Sequence, residues 1–143
     1  MISGDLSSRA QELRARREAF VTATVVRAQA PTSAEAGNVA LVHRDGTIEG
    51  FVGGVCAETT VRLHALQAMS TGEPVLLRIV PADTDQTSPN EDGMVTVHNS
   101  CLSGGALQIF LQPHLAPARL TVFGSAPVAR AVADLGRRLG YEV

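Results

Sequence analysis

Two short blocks of the sequence, each with a Gly-Gly pair and one cysteine, contain the residue types best suited to chemistry. The first block covers residues 53–58 with the sequence GGVCAE, and the second covers residues 98–105 with the sequence HNSCLSGG. A cysteine thiolate binds soft metals and takes part in sulfur transfer, and glycine lets a ligand approach the backbone closely. Neither block has the CxxC or HExxH spacing of a zinc site. The two cysteines share a site only if the blocks converge in space, and we predict that they do.

The first block lies where a predicted strand is followed by the amino end of a predicted helix. Unpaired backbone N–H groups and the helix dipole favour an anion there, and the same position favours the thiolate form of a cysteine. Gly53, Gly54 and Cys56 are therefore candidate ligand-binding residues. The alternative is that Cys56 is a small buried apolar residue on a helical stripe with Leu63 and Leu66. The spacing leaves both interpretations open.

Glu58 closes the first block and also has two interpretations. Beside a ligand site it is a candidate cofactor-binding residue or general acid and base. Arg62 lies one helical turn later, which is the spacing of an ordinary ion pair on a solvated helix face. For Glu58 taken alone, the spacing favours the ion pair.

The second block separates two predicted strands. Its candidate site residues are Cys101, Ser103, Gly104 and Gly105, which could hold an anionic or metal-bearing ligand. A polar turn with a buried cysteine is the alternative. The histidines outside this block have no evident partner in the sequence, and we predict that they are surface or packing residues: His43, His64 and His114.

The elements that position the two blocks follow from hydrophobic periodicity and turn residues. Asp45-Gly46 is typical of a two-residue β-hairpin turn, and Thr71-Gly72 before Pro74 ends a helix. The helix after Gly54 is predicted to bury a stripe of four residues: Cys56, Thr59, Leu63 and Leu66. The predicted elements are a helix over residues 5–18 with Leu6 and Leu13 on one face, strands over 20–28, 39–42, 47–52, 75–80, 94–97 and 107–111, and a loop over 81–93. This order predicts an α/β fold with a mixed sheet over residues 1–115.

The remaining residues, 116–143, resemble the start of a β-α-β unit. A strand is predicted over 120–123, a helix over 128–139 and a further strand from Tyr141. Gly124, Ala126 and Ala129 occupy the glycine positions of a dinucleotide fingerprint, which makes them weak nucleotide-binding candidates. One such unit cannot bury its own sheet faces. We therefore expect an incomplete Rossmann-like segment, which is part of a larger domain or is completed by another chain.

Composition limits the classes of function. Of 143 residues, 45% are hydrophobic and 18% charged, which is enough apolar material for a packed core. The net charge of −2 and the aromatic content of 3% exclude the usual nucleic-acid binders. The first 20 residues have seven charges and no apolar run, so we expect no signal peptide, no membrane span and a cytoplasmic location. Two distant cysteines in such a chain predict reduced thiols.

Taken together, these blocks resemble the XdhC/CoxI family. The resemblance rests on APTSA at residues 30–34, Gly37, DGTIEGFVGGVCAE at 45–58, CLSGG at 101–105 and TVFGSAPVA at 121–129. It therefore extends over nearly the whole chain. The APTSA and CLSGG segments resemble the members associated with carbon monoxide dehydrogenase more than those associated with xanthine dehydrogenase.

The resemblance implies a cytoplasmic accessory protein, a maturation chaperone that matures molybdenum hydroxylases and has no turnover of its own. Such proteins bind the molybdenum cofactor, as molybdopterin or its cytidine dinucleotide, present it to a cysteine desulfurase for sulfuration, and help insert it into the large subunit of the target enzyme. By resemblance, Cys56 contacts the cofactor, with its molybdenum as the possible bond partner, and Gly53 and Gly54 form the backbone around it. A homodimer is also compatible with the apolar strand over 120–123.

Two alternatives come from other classes. An NAD(P)-binding redox or regulatory protein would use the turn at Gly124, although we expect no NAD(P) binding by a segment this short. A remnant without function would fold through its first domain alone.

Overall fold

The computed structural model describes residues 2–83, 92–100 and 105–143. Three helices and six strands follow one another along the chain: α1 (Ile2–Ala15), β1 (Phe20–Gln29), β2 (Val39–His43), β3 (Ile48–Gly50), α2 (Val55–Thr71), β4 (Val75–Pro81), β5 (Met94–Asn99), β6 (Ala106–His114) and α3 (Pro127–Arg138).

The six strands form one sheet in the order β3-β2-β1-β6-β4-β5. All neighbours are antiparallel except β4 and β5, which run parallel. The predicted hairpin is confirmed: β2 pairs with β3, Gly46 has a φ of 88°, and the Asp45 carboxylate accepts the Thr47 N–H at 2.9 Å. The α/β class with a mixed sheet is therefore confirmed.

Helix α2 covers one face of this sheet. Alternate residues of the central strands point toward it, among them Val21, Leu77 and Ile109, all fully buried. The predicted buried stripe of α2 is wrong, since Leu63 is 64% exposed and the buried residues are Ala57, Val61, Ala65 and Ala68. Both stripes have helical spacing, but small side chains let the helix lie closer to the sheet.

Helix α1 covers part of the opposite face. Leu13 packs there against Phe20 and Leu41, with Leu6 at the margin, as the shared face of Leu6 and Leu13 predicted. Leu41 belongs to this cluster, whereas its neighbours Ala40 and Val42 belong to the α2 side. The sheet is thus a central layer between two helices.

Strand pairing places the ends of several strands together. Gln29 pairs with Ala106, and Pro81 pairs with Asn99, so β1, β4 and β5 end where β6 begins. We call this the site edge of the sheet. At the opposite end, which we call the far edge, Phe20 pairs with both His43 and His114.

The segment after β6 forms a small parallel unit. Arg119 and Glu142 make one parallel bridge, and α3 packs on it through Gly136, whose position would bring a Cβ within 2.6 Å of Leu120. The strand predicted over 120–123 is wrong, because Leu120 makes one backbone hydrogen bond to Glu142 and no ladder follows it among the described residues. Phe123 is 88% exposed. Across the described ranges, no helix is both long and apolar enough to cross a membrane.

Candidate functional site

The amino end of α2 lies at the site edge and presents bare backbone. Gly54 is the N-cap residue, with an extended backbone conformation and no side-chain hydrogen bond to the first turn. It is exposed, and a Cβ at this position would have no neighbour within 4 Å. The first N–H groups of a helix have no partner within the helix, so this end can receive an anion.

Gly53 has the opposite environment although it is the next residue. It is buried, its φ is 137°, and a Cβ would lie 2.9 Å from the Ala57 Cβ and 3.4 Å from Leu107. Only glycine fits this conformation and this space without a shift of its neighbours. Gly53 therefore holds the first block against the sheet, while Gly54 faces outward.

Cys56 lies in the first turn of α2 and is half-buried. It is disulfide-bonded in the structure, so the prediction of a reduced thiol is wrong. The two blocks are far apart in the sequence but close in space, because β5 ends beside α2. The alternative of an apolar core residue on a stripe with Leu63 is also wrong, because that side of α2 is not the buried one.

The start of the second block contacts the first block directly. The Asn99 side-chain amide donates to the Cys56 carbonyl at 3.3 Å and lies 3.4 Å from the Thr60 hydroxyl. Thr60 also donates to the Cys56 carbonyl at 3.1 Å. Sequence reasoning assigned no role to Asn99 or Thr60, and no signal distinguishes Thr60 from its neighbour Thr59.

The end of the second block packs on the loop after β1. Gly105 is buried, and a Cβ there would lie 2.1 Å from the Pro31 carbonyl oxygen and 2.7 Å from that of Gln29. A Cβ at Gly53 would likewise lie 4.0 Å from the Ala34 Cβ. The loop carrying APTSA and the described ends of both blocks thus meet at the site edge. Cys101, Ser103 and Gly104 lie outside the described residues.

Glu58 forms the ion pair that its spacing favoured. Its carboxylate lies 2.9 Å from Arg62 Nη2, and Arg62 Nε donates to the Gly46 carbonyl at 2.8 Å. Arg62 therefore ties the first block to the β2–β3 hairpin. Within the described ranges, no group of three or more His, Cys, Asp or Glu residues is placed to hold a metal ion.

Two of the histidines predicted to have no partner have one. His43 Nε2 lies 2.7 Å from the Glu49 carboxylate, and His114 stacks on Phe20 with ring centroids 4.7 Å apart. The β2–β3 hairpin brings Glu49 to His43, and the pairing of β1 with β6 brings Phe20 to His114. The hairpin was predicted from the sequence, whereas the pairing of β1 with β6 was not. Burial lowers the pKa of His64 below its ordinary value. His43 and His114 lie at the far edge, away from both blocks.

The residues proposed for a nucleotide form the turn before α3. Gly124 has a φ of 111°, Ala126 is the N-cap residue of α3, and Ala129 is buried. An open cavity of about 370 Å³ beside Gly124 and Ala129 is also lined by Arg130. The first helical residue is Pro127, which has no N–H to offer a phosphate. Gly124, Ala126 and Ala129 stay weak nucleotide-binding candidates, and the absence of NAD(P) binding stays a prediction.

Comparison with known proteins identifies the class of domain. Residues 13–80 match the model of the XdhC and CoxI family. Residues 13–80 therefore have the sequence of an XdhC and CoxI family domain, and the first block lies inside the match.

Two individual proteins are similar to this chain. The uncharacterized protein YqeB of Escherichia coli (strain K12) is 30% identical over 124 residues, which cover 87% of this chain and 21% of that protein. A crystal structure described as a xanthine dehydrogenase from Bacillus halodurans matches with a TM-score of 0.51 and 22% identity, covering 74% of this chain and 29% of that one. The second match shows a shared fold alone. This chain thus spans less than a third of the length of either protein.

Proposed function

We propose that this chain binds the molybdenum cofactor at the site edge and supports its sulfuration and insertion into a molybdenum hydroxylase of the xanthine dehydrogenase or carbon monoxide dehydrogenase type. The proposal takes the chain as a cytoplasmic accessory protein without turnover of its own. Membership of the XdhC and CoxI family supports this role. The cofactor is molybdopterin or its cytidine dinucleotide.

One observation carries the proposal: the first block, the described ends of the second block and the APTSA loop meet at one edge of the sheet. Asn99 joins the second block to Cys56, and Gly105 closes against Pro31. The bare amino end of α2 faces outward at the same edge through Gly54. This edge therefore offers backbone N–H groups and a cysteine together.

These groups fit the chemistry of the cofactor. Molybdopterin ends in a phosphate, which suits the amino end of a helix, and molybdenum is thiophilic, which suits a cysteine thiolate. Because Cys56 is disulfide-bonded, two external thiols must first reduce that bond, with their own oxidation to a disulfide, before its sulfur can contact the cofactor. When bound, the cofactor supplies the molybdenum that is sulfurated. Gly54 would approach its phosphate, and Cys56 would hold its metal end.

Equilibrium binding tests the proposal. Cofactor released anaerobically from a molybdoenzyme is titrated into the purified chain under reducing conditions, beside Cys56→Ala and the control Thr59→Val on the exposed side of the same helix. We expect the wild type and Thr59→Val to bind alike and Cys56→Ala to lose at least tenfold in affinity. No binding by the wild type would overturn the proposed function, and equal binding by Cys56→Ala would overturn the site.

The proposed partners are the large subunit of the target enzyme, a cysteine desulfurase and a second copy of this chain. We also propose a division into a cofactor-binding domain over residues 1–115 and a Rossmann-like segment over 116–143. The end of β6 at His114 and the separate Arg119–Glu142 pairing support that division. Titration with NAD(P) in place of the cofactor tests the alternative function, and we expect no binding.

A further inference from the structure

Three polar groups join the end of β5 to the first turn of α2. The Cys56 carbonyl accepts hydrogen bonds from the Thr60 hydroxyl and from the Asn99 amide, at 3.1 and 3.3 Å. The Asn99 amide also lies 3.4 Å from the Thr60 hydroxyl, so each group touches the other two. We call these three groups the Cys56 clamp.

The clamp differs from an ordinary bond within a helix. Thr59 makes the same hydroxyl-to-carbonyl contact one residue earlier, to Val55 at 2.9 Å, and that contact stays within α2. The clamp adds a donor from another element, 43 residues away in the sequence. Its target is a backbone carbonyl of the cysteine itself.

Once the Cys56 disulfide is reduced, the first turn of α2 needs such a restraint. It follows two glycines, and a helix end held by few internal hydrogen bonds frays easily. The buried residues that anchor the helix begin at Ala57 and continue at Val61 and Ala65. Cys56 lies before this anchored part, half-buried, and Val55 beside it is 81% exposed.

We infer that Asn99, acting with Thr60, is a positioning residue that fixes the backbone of Cys56 and so aims its reduced thiol at the bound cofactor. The inference rests on the proposed function for the identity of the ligand. The buried residues of α2 from Ala57 onward pack on the sheet independently of the clamp, so we expect its loss to act on the direction of Cys56 rather than on the fold.

The test compares Asn99→Ala, Asn99→Asp and Thr60→Val with the matched control Thr59→Val, all in the full chain under reducing conditions. Asn99→Asp retains the shape of the side chain but has no N–H donor when ionised. The dissociation constant of anaerobically isolated cofactor is measured together with the thermal unfolding midpoint. We expect the two Asn99 variants to bind about three- to tenfold more weakly, the range for one hydrogen bond, with unfolding midpoints close to that of the wild type. Thr59→Val should match the wild type in both measurements.

A second measurement needs no cofactor. The rate at which iodoacetamide alkylates Cys56 in the reduced chain is followed by mass spectrometry of the peptide that contains it. Release of the clamp should expose the half-buried thiol, so we expect alkylation about threefold faster in Asn99→Ala and Thr60→Val and unchanged in Thr59→Val.

The outcomes separate the two proposals. Faster alkylation with no cofactor binding by the wild type would retain the positioning role and overturn the proposed function. Unchanged alkylation and affinity in the Asn99 variants would overturn the positioning role. A lower unfolding midpoint with unchanged alkylation and affinity would assign Asn99 to folding alone and would also overturn it.

Discussion

The contacts at the site edge differ in kind from those at the far edge. At the site edge, apart from the Asn99 contact with Cys56, the loops close by contact of backbone with backbone or with neighbouring side chains, which Gly53 and Gly105 permit. At the far edge, side chains make the contacts: His114 stacks on Phe20, and Arg17 donates to the Pro117 carbonyl at 2.6 Å and pairs with Glu142. Glycines allow the close contacts at the site edge, whereas large side chains make the contacts at the far edge.

This difference explains how the same sheet can combine a stable end with a receptive one. Side chains at the far edge stabilise it and also occupy space there. Glycines at the site edge bring three loops together and still leave the helix end at Gly54 uncovered by a side chain of its own. Substitutions at the two edges should therefore have different consequences. A side chain at a buried glycine should lower stability, one at Gly54 should weaken binding, and a change at His114 should alter how stability depends on pH.

The largest effect is expected from Gly105→Ala. The added Cβ would lie 2.1 Å from the Pro31 carbonyl oxygen, and a buried backbone cannot yield as a flexible side chain can. We expect the free energy of unfolding to fall by about 3 kcal/mol, the upper part of the range for overpacking. Urea unfolding measures it, with Gly4→Ala as the control because nothing lies within 4 Å of that position. A stable Gly105→Ala variant would show that the site edge is not closed by backbone contact.

Gly54→Asp should change stability and binding in opposite directions. Its φ of −71° and the open space around it accept a side chain. Aspartate is a better N-cap than glycine by a few tenths of a kcal/mol. The same carboxylate would occupy the helix end and repel a phosphate. We expect slightly higher stability and at least tenfold weaker cofactor binding.

Gly54→Ser separates the causes of that loss, because it caps the helix without a charge. We expect its cofactor affinity to lie between those of the wild type and Gly54→Asp. Unchanged affinity in both variants would place the phosphate away from the amino end of α2.

The smallest effect concerns pH. Burial and the positive charge of Arg14 hold the pKa of His114 below its ordinary value of 6.5. Protonation therefore favours the unfolded chain, so the stabilising contribution is present above pH 6.5 and is lost as the pH falls below it. Unfolding midpoints of wild type and His114→Asn between pH 7.5 and 5 should show a smaller decline in the variant. Equal declines would mean that other groups control this pH dependence.

Local features of the fold could be predicted from the sequence. The hairpin at Asp45-Gly46 and the end of α2 at Gly72, which has a φ of 76°, follow from the need for glycine where φ is positive. The alternation along β1 likewise predicted the buried side of that strand. Each of these depends on residues close together in the chain.

Features that depend on distant pairing could not be predicted. The buried side of α2 was decided by the space above the sheet, which favoured Ala65 over Leu63. The stacking of His114 on Phe20 and the Asn99 contact with Cys56 both arise from the strand order. For the candidate site, the first block could be placed at a helix end from the sequence, but its restraint by β5 could not.

Strand β6 connects the two edges and sets the distance between the site and the second unit. Its nine residues, Ala106–His114, run from the site edge to the far edge, and at about 3.4 Å per residue they span about 30 Å. The chain therefore leaves the sheet on the side away from Cys56, and Arg17 and Glu142 hold the second unit there. Residues 118–143 are therefore attached to the sheet a full strand length away from the glycine loops.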